Sequence, residues 1–328
     1  MKRSPVIVIT GASSGIGRAT ALRFARRGAS LVLVSRNQDA LDAVAAECRR
    51  LGAATVALAA DVTDAVALES VAARASVQYG RVDVWVNVAA VTTYGDFESI
   101  PVAEFDRVLE VNALGAANGT RAALMAMTGR GRGVIVNISS ILGEIPQPFS
   151  APYGMSKAAV RALGASLRTE LALRGLRGIH VVTILPPTIE TPFFQHAGNH
   201  TGRRVVAMPP VYPPRLVAKA VEDAVRNPRR HERVLGVLGR TLVRQHRMRP
   251  RAVELQLGAQ TVATNLSLVS PQPDTSGTLF EPGSAEEAAV TGGWHGGLKT
   301  GLRVALGWTI ALAVVSTVVL RGRPADRR

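Results

Sequence analysis

Six times within the first 235 residues, a short β-branched run gives way to a longer stretch of helical period. This alternation restricts the fold more than any other feature of the chain. The runs Val6–Thr10, Ser30–Ser35, Thr55–Ala59, Val82–Asn87, Gly133–Ser139, His180–Leu185 and Arg233–Val237 predict strands. Helices are predicted over Gly15–Arg27, Gln38–Leu51, Ala65–Tyr79, Val102–Met127, Pro152–Arg174 and Pro214–Asn227. Strand and helix in turn imply a parallel sheet covered on both faces, and right-handed crossovers make it doubly wound. The expected fold class is therefore α/β, with about seven strands.

The first strand runs into Thr10-Gly11-Ala12-Ser13-Ser14-Gly15-Ile16-Gly17, which also opens the first helix. The backbone can turn tightly at Gly11, approach a pyrophosphate near Gly15 and pack helix on strand at Gly17. The helix N-terminus then faces the phosphates. Thr10, Gly11, Ser13, Ser14, Gly15, Ile16 and Gly17 are accordingly candidate cofactor residues. The second strand ends in Ser35-Arg36, where an acid would hold both ribose hydroxyls of NAD. A hydroxyl beside a guanidinium suits a 2′-phosphate instead, so NADP(H) is favoured over NAD(H). Asp61 and Val62, after the third strand, would lie near the adenine.

Tyr153 and Lys157 are four apart in a helical segment and so share one face. A free phenol has a pKa of about 10, and a neighbouring ammonium stabilises the phenolate, so the pair makes sense as a tuned acid/base. Lysine is scarce here, four of 39 basic residues, which adds weight to Lys157. Ser139 and Ser140 end a strand where ligands bind in open parallel sheets, and a hydroxyl there can donate to a substrate oxygen. Asn112 is a candidate for holding a water beneath Lys157.

Taken together, Thr10–Gly17, Asn87, Asn112, Ser140, Tyr153 and Lys157 resemble the short-chain dehydrogenase/reductase family in its ordinary form, over roughly residues 4–238. The resemblance implies a Rossmann fold, Tyr153 as acid/base, and Lys157 binding the nicotinamide ribose while lowering the Tyr153 pKa. It implies that Ser140, whose interval to the tyrosine matches the family better than that of Ser139, polarises the carbonyl, and that Asn112 anchors a proton-relay water. Asn87 and Ala89 would border the cofactor. In Pro186-Pro187-Thr188-Ile189-Glu190-Thr191-Pro192, Pro186 would also border it, Ile189 would meet the nicotinamide amide and Thr191 the phosphates. Two departures stand out: Asn87-Val88-Ala89-Ala90 replaces the usual Asn-Asn-Ala-Gly, and Pro187 replaces a common Gly. Homo-oligomers are frequent in the family. The implied function is NADP(H)-dependent hydride transfer between nicotinamide and an alcohol or ketone.

Beyond residue 239 the alternation stops. Residues 240–297 comprise a basic segment, Arg240–Arg251, and a Pro/Gly/Ser-rich linker from Ser270. Within residues 298–328, Val304–Leu320 is uncharged and mostly apolar with basic flanks, and is expected to anchor residues 1–239 to a membrane, on its cytoplasmic face. Trp294 and Trp308 would sit at the interface. A hydrophobic substrate reached from lipid follows by association. The net charge of +15 includes nine arginines between Arg226 and Arg251. No aromatics interleave with them, so membrane lipid is favoured and nucleic acid is not expected. Cys48 is the sole cysteine, which excludes an intramolecular disulfide and suits a reducing compartment. The apolar run after Pro5 is too short for a secretory signal. His196 and His200 are four apart without a third ligand nearby, so no metal is expected. The competing reading is a membrane-tethered NADP(H) sensor or scaffold without turnover.

Overall fold

The computed structural model describes residues 4–294. Val6–Thr10 (β1), Ser30–Ser35 (β2), Thr55–Ala59 (β3) and Val84–Asn87 (β4) alternate with Gly15–Ala25 (α1), Gln38–Arg50 (α2) and Ala65–Tyr79 (α3). After a two-residue strand, Thr93–Tyr94 (β5), follow Val102–Leu109 (α4), Gly115–Thr128 (α5), Gly133–Ile138 (β6), Ala151–Leu173 (α6) and Ile179–Leu185 (β7). Gly198–Asn199 (β8), Arg203–Val205 (β9), Pro214–Arg226 (α7) and Glu232–Val234 (β10) come next. Val237–Met248 (α8), Pro250–Gln260 (α9) and Leu266–Pro271 (β11) complete the regular elements.

The main sheet has seven parallel strands in the order β10-β7-β6-β4-β1-β2-β3. The direction of winding reverses between β1 and β4, so a crevice opens at their carboxyl ends, where such sheets bind ligands. Every residue of β1 is buried. Ile7 and Ile9 pack with Phe24 of α1, Leu41 of α2 and Val217 of α7 on one face. Val8 faces the other core, with Trp85, Leu68 of α3, Met127 of α5 and Leu167 of α6. Each such large side chain contributes about 1.5–3 kcal/mol by leaving water. Cys48 is fully buried in the first core.

Three departures from the sequence reading bear on the site. The predicted helix Val102–Met127 is one continuous path, but Glu110–Leu114 widens into a π-turn centred on Asn112. Apolar spacing cannot reveal one extra residue in a turn, and such insertions favour functional sites. The basic segment forms α8 and α9, whose Val243, Val253 and Leu257 pack on Ile141, Leu185 and Met208. The stretch of linker composition begins in β11, antiparallel to β9, and continues across the crevice. Among the described residues no helix is long and apolar enough to cross a membrane. The Val304–Leu320 segment and Trp308 lie outside the described residues.

Candidate active site and cofactor cleft

A cavity of about 330 Å³ runs from the glycine turn to Tyr153 and Lys157. At the turn, Gly11 has φ +63°, and a Cβ there would come within 2.8 Å of the Ala89 backbone. A Cβ on Gly17 would collide with the Gly11 carbonyl, so the helix can start this close to the strand only without side chains. Ser13, Ser14, Gly15 and Ile16 line the cavity beside them, as do Ser35, Asp61, Val62 and Ala89. Pro186, Ile189 and Thr191 form the opposite rim.

Two of the predicted cofactor residues face elsewhere. Thr10 is 1% exposed, and its Oγ1 accepts from Val88 N at 3.1 Å, tying β1 to the end of β4. Asn87 is buried between strands: its Nδ2 donates to Asn137 Oδ1 (2.8 Å) and Thr120 Oγ1 (3.1 Å), and its Oδ1 accepts from Trp85 Nε1 (2.9 Å). Both side chains shape the crevice floor without reaching it.

The α6 helix places Tyr153 and Lys157 one turn apart. Lys157 Nζ lies 5.5 Å from the Tyr153 ring centroid and donates to Ile138 O at 3.1 Å. Ser140 Oγ accepts from Leu142 N at 3.1 Å, and its hydroxyl stands close enough to the Tyr153 hydroxyl to favour the phenolate. Ser139, which also lines the cavity, instead donates to Lys157 O at 2.7 Å, fastening α6 to the end of β6. Burial drives the phenol up to about 12, against the opposing Ser140 hydroxyl, and drives the ammonium down to about 8. The lowered phenol pKa expected from the ammonium is thus not what the protein alone produces, because withdrawing the phenolate from water costs more.

Asn112 sits at the centre of the π-turn. Its Oδ1 accepts from Val91 N (2.8 Å), while Nδ2 donates to Val91 O (2.9 Å) and Ser156 Oγ (3.0 Å). The side-chain amide therefore braces the loop after β4 against α6. Sequence reasoning missed the far end of the cavity, where Gln147 Nε2 donates to Asn265 Oδ1 at 2.9 Å and the Tyr94 phenol lines the same space. Burial and the nearby Tyr153 raise the Tyr94 phenol, leaving it a neutral donor. No spacing signal connects residues 94, 147 and 265.

Arg36 lines the cavity, but its guanidinium is engaged by backbone carbonyls from the segment after β11. Asp61 accepts from Arg107 Nη2 at 2.5 Å and from Thr63; these bonds outweigh burial and hold its carboxyl below the usual range. Trp294, expected at a membrane interface, donates to Thr191 O at 2.9 Å and meets Phe194 edge-on. His196 faces Glu287 at 3.8 Å, with burial favouring its neutral form, while His200 pairs with Glu104 and Asp274, which favour its charged form. Among the described residues no group of three or more His, Cys, Asp or Glu could hold a metal.

A dinucleotide fits the observed chemistry. The helix N-terminus borders an open cavity, and the buried Lys157 ammonium, with three donors, has Ile138 O as its one hydrogen-bond acceptor among the described residues. Fold and cleft thus define a nucleotide-binding α/β protein with a tyrosine–lysine–serine group at its switch point. The chain belongs to the short-chain dehydrogenase family, whose sequence model matches residues 5–201. It is 35% identical over 230 residues to oxidoreductase YxnA of Bacillus subtilis, covering 70% of this chain and 64% of YxnA. A short-chain dehydrogenase from Streptomyces avermitilis superposes with a TM-score of 0.67 at 30% identity, over 77% of this chain and 95% of that one. An alcohol dehydrogenase from the archaeon Thermococcus sibiricus, complexed with 5-hydroxy-NADP, gives a TM-score of 0.62 at 27% identity, over 71% of this chain and 96% of that one.

Proposed function

We propose that the protein is an NADP(H)-dependent oxidoreductase that interconverts an alcohol and a ketone. The observation that carries this reading is that Ser140, Tyr153 and Lys157 line one cavity continuous with the glycine turn, with Lys157 Nζ 5.5 Å from the Tyr153 ring. When bound, the nicotinamide supplies or takes the hydride. Tyr153 gives its proton to the carbonyl oxygen during reduction, and Ser140 donates a hydrogen bond as charge develops there. Lys157 directs its remaining donors at the ribose and offsets phenolate charge at the moment of transfer. Ser139 and Asn112 position α6. Gly11, Ser13, Ser14, Gly15, Ile16 and Thr191, which line the cavity, would border the phosphates, and Asp61 and Val62 would lie toward the adenine.

The 2′-phosphate preference is supported by Ser35-Arg36 at the end of β2, where no acid stands, and by the NADP derivative in the Thermococcus sibiricus enzyme. The substrate end of the cavity, walled by Phe193, Phe194, Met208, Leu242 and Leu257, suits a hydrophobic carbonyl compound. The Val304–Leu320 segment would hold this domain at the cytoplasmic face of a membrane, a reading that rests on sequence alone.

NADPH consumption with a panel of hydrophobic ketones tests the chemistry. Tyr153→Phe keeps the ring but removes the transferable proton, and should lower the rate by about 10²–10⁴-fold. Equal rates for the variant and the parent would refute the assignment.

A further inference from the structure

Residues 272–294 form a strap that lies along the cofactor cleft and is fastened there chiefly through its own backbone carbonyls. Arg36 Nη1 donates to Leu279 O (3.0 Å) and Phe280 O (2.7 Å), and its Nη2 to Thr278 O (2.6 Å) and, at 3.5 Å, Glu281 O. Asn37 Nδ2 reaches Gly283 O at 2.8 Å, Arg107 Nε reaches Leu279 O at 3.1 Å, and Gly15 N donates to Ala289 O at 2.9 Å. The strap also differs in charge from the rest of the chain. It holds four acids (Asp274, Glu281, Glu286, Glu287) and no Lys or Arg, in a protein of net charge +15. Backbone carbonyl oxygens of an acidic segment have thus been brought to the arginines and the turn amide that would otherwise face phosphate.

We propose that this strap is an internal competitor for the 2′-phosphate and so sets the choice between the two dinucleotides. The proposal rests on the reading of the cleft as a nicotinamide-dinucleotide site. Both outer nitrogens of Arg36 are occupied by residues 278–281, and a guanidinium edge cannot fork onto a phosphate while it serves these carbonyls. NADP(H) must therefore lift that part of the strap to reach Arg36. NAD(H), which has a hydroxyl in place of the 2′-phosphate, makes no such demand. Pro282, Gly283, Ser284 and Ala288 of the strap line the cavity together with the glycine turn, and the Gly15 amide held by Ala289 O would be given up to the pyrophosphate of either dinucleotide alike, so this contact does not discriminate between them.

Gly277 offers a way to displace the strap without touching the cleft. It has φ +53°, and a Cβ there would collide with the His196 carbonyl, so Gly277→Val forces residues 277–281 away. In the full chain, equilibrium binding of NADPH and NADH to parent and variant gives the selectivity ratio. The expected result is a roughly tenfold tightening of NADPH relative to NADH in Gly277→Val, as the competent fraction of Arg36 rises. An unchanged ratio, or one shifted toward NADH, overturns the proposal. Hydrogen exchange on the parent protein is the second measurement and needs no variant. Saturating NADPH should deprotect peptides spanning 277–284 while NADH leaves them as they were; protection by NADPH would overturn the proposal. Should neither dinucleotide bind at any concentration tested, the reading of the cleft itself fails, and the proposal with it.

Discussion

Lys157 is the residue whose charge the proposed chemistry can least spare and whose surroundings least support it. Burial lowers its pKa to about 8, whereas Tyr153 keeps its proton up to about 12. Carbonyl reduction needs the charged ammonium and the protonated phenol together. The ammonium is present below its pKa and lost above it, so kcat/KM for ketone reduction should hold steady below about pH 7 and fall through pH 8. A pH–rate profile that stays level to pH 9 would remove Lys157 as the controlling group. Much at this scale was legible in the sequence: the i, i+4 spacing of Tyr153 and Lys157 and the serine at the end of β6 are local features. The directions of Thr10, Asn87 and Asn112 were not, because, Trp85 beside Asn87 apart, the partners that hold them are at least 21 positions away in the chain.

At the scale of the element, the glycine turn and the strap show opposite degrees of legibility. The turn is encoded locally, since Gly11 and Gly17 are required by contacts within the motif and with the neighbouring strand end. The strap reads as a linker because its Pro, Gly, Ser and Thr residues form no periodic pattern, and its order comes from donors contributed by Arg36, Asn37 and Arg107. Its signal was the cluster of acids, which composition alone could not assign to a docking place. The root of the strap is pinned by His200, which pairs with Glu104 (3.0 Å) on α4 and Asp274 (3.4 Å) on the strap. Burial would lower the His200 pKa, but the two carboxylates outweigh it and the net direction is upward. The pairing therefore stabilises the root fully below the unfolded value of about 6.5, and this contribution is lost as pH rises through the folded value. Limited proteolysis should cut near residue 274 faster at pH 8.5 than at pH 6, after correction for protease activity. His200→Gln should be cut at the same corrected rate at both.

For the whole molecule, the seven-stranded sheet was predictable because strand and helix alternate in the sequence itself, and parallel crossovers leave few other arrangements. What periodicity could not supply is the way residues 237–294 fold back on the sheet. α8 and α9 close the substrate end through Val243, Val253 and Leu257, while the strap crosses the cofactor end. The tethering proposal belongs to this scale. Removing everything after Gly297 should move the protein from the membrane fraction to the supernatant while leaving dinucleotide binding intact, and a truncated chain that still sediments with membranes would remove the anchor. One further property follows from where the sole thiol sits. Cys48 is sealed in the core, with its pKa raised to about 11 by burial, so it is nearly inert toward alkylating probes at neutral pH. A cysteine substituted onto the strap would then be the single reactive sulfur in the molecule, and a fluorophore attached to it would report opening and closing without background.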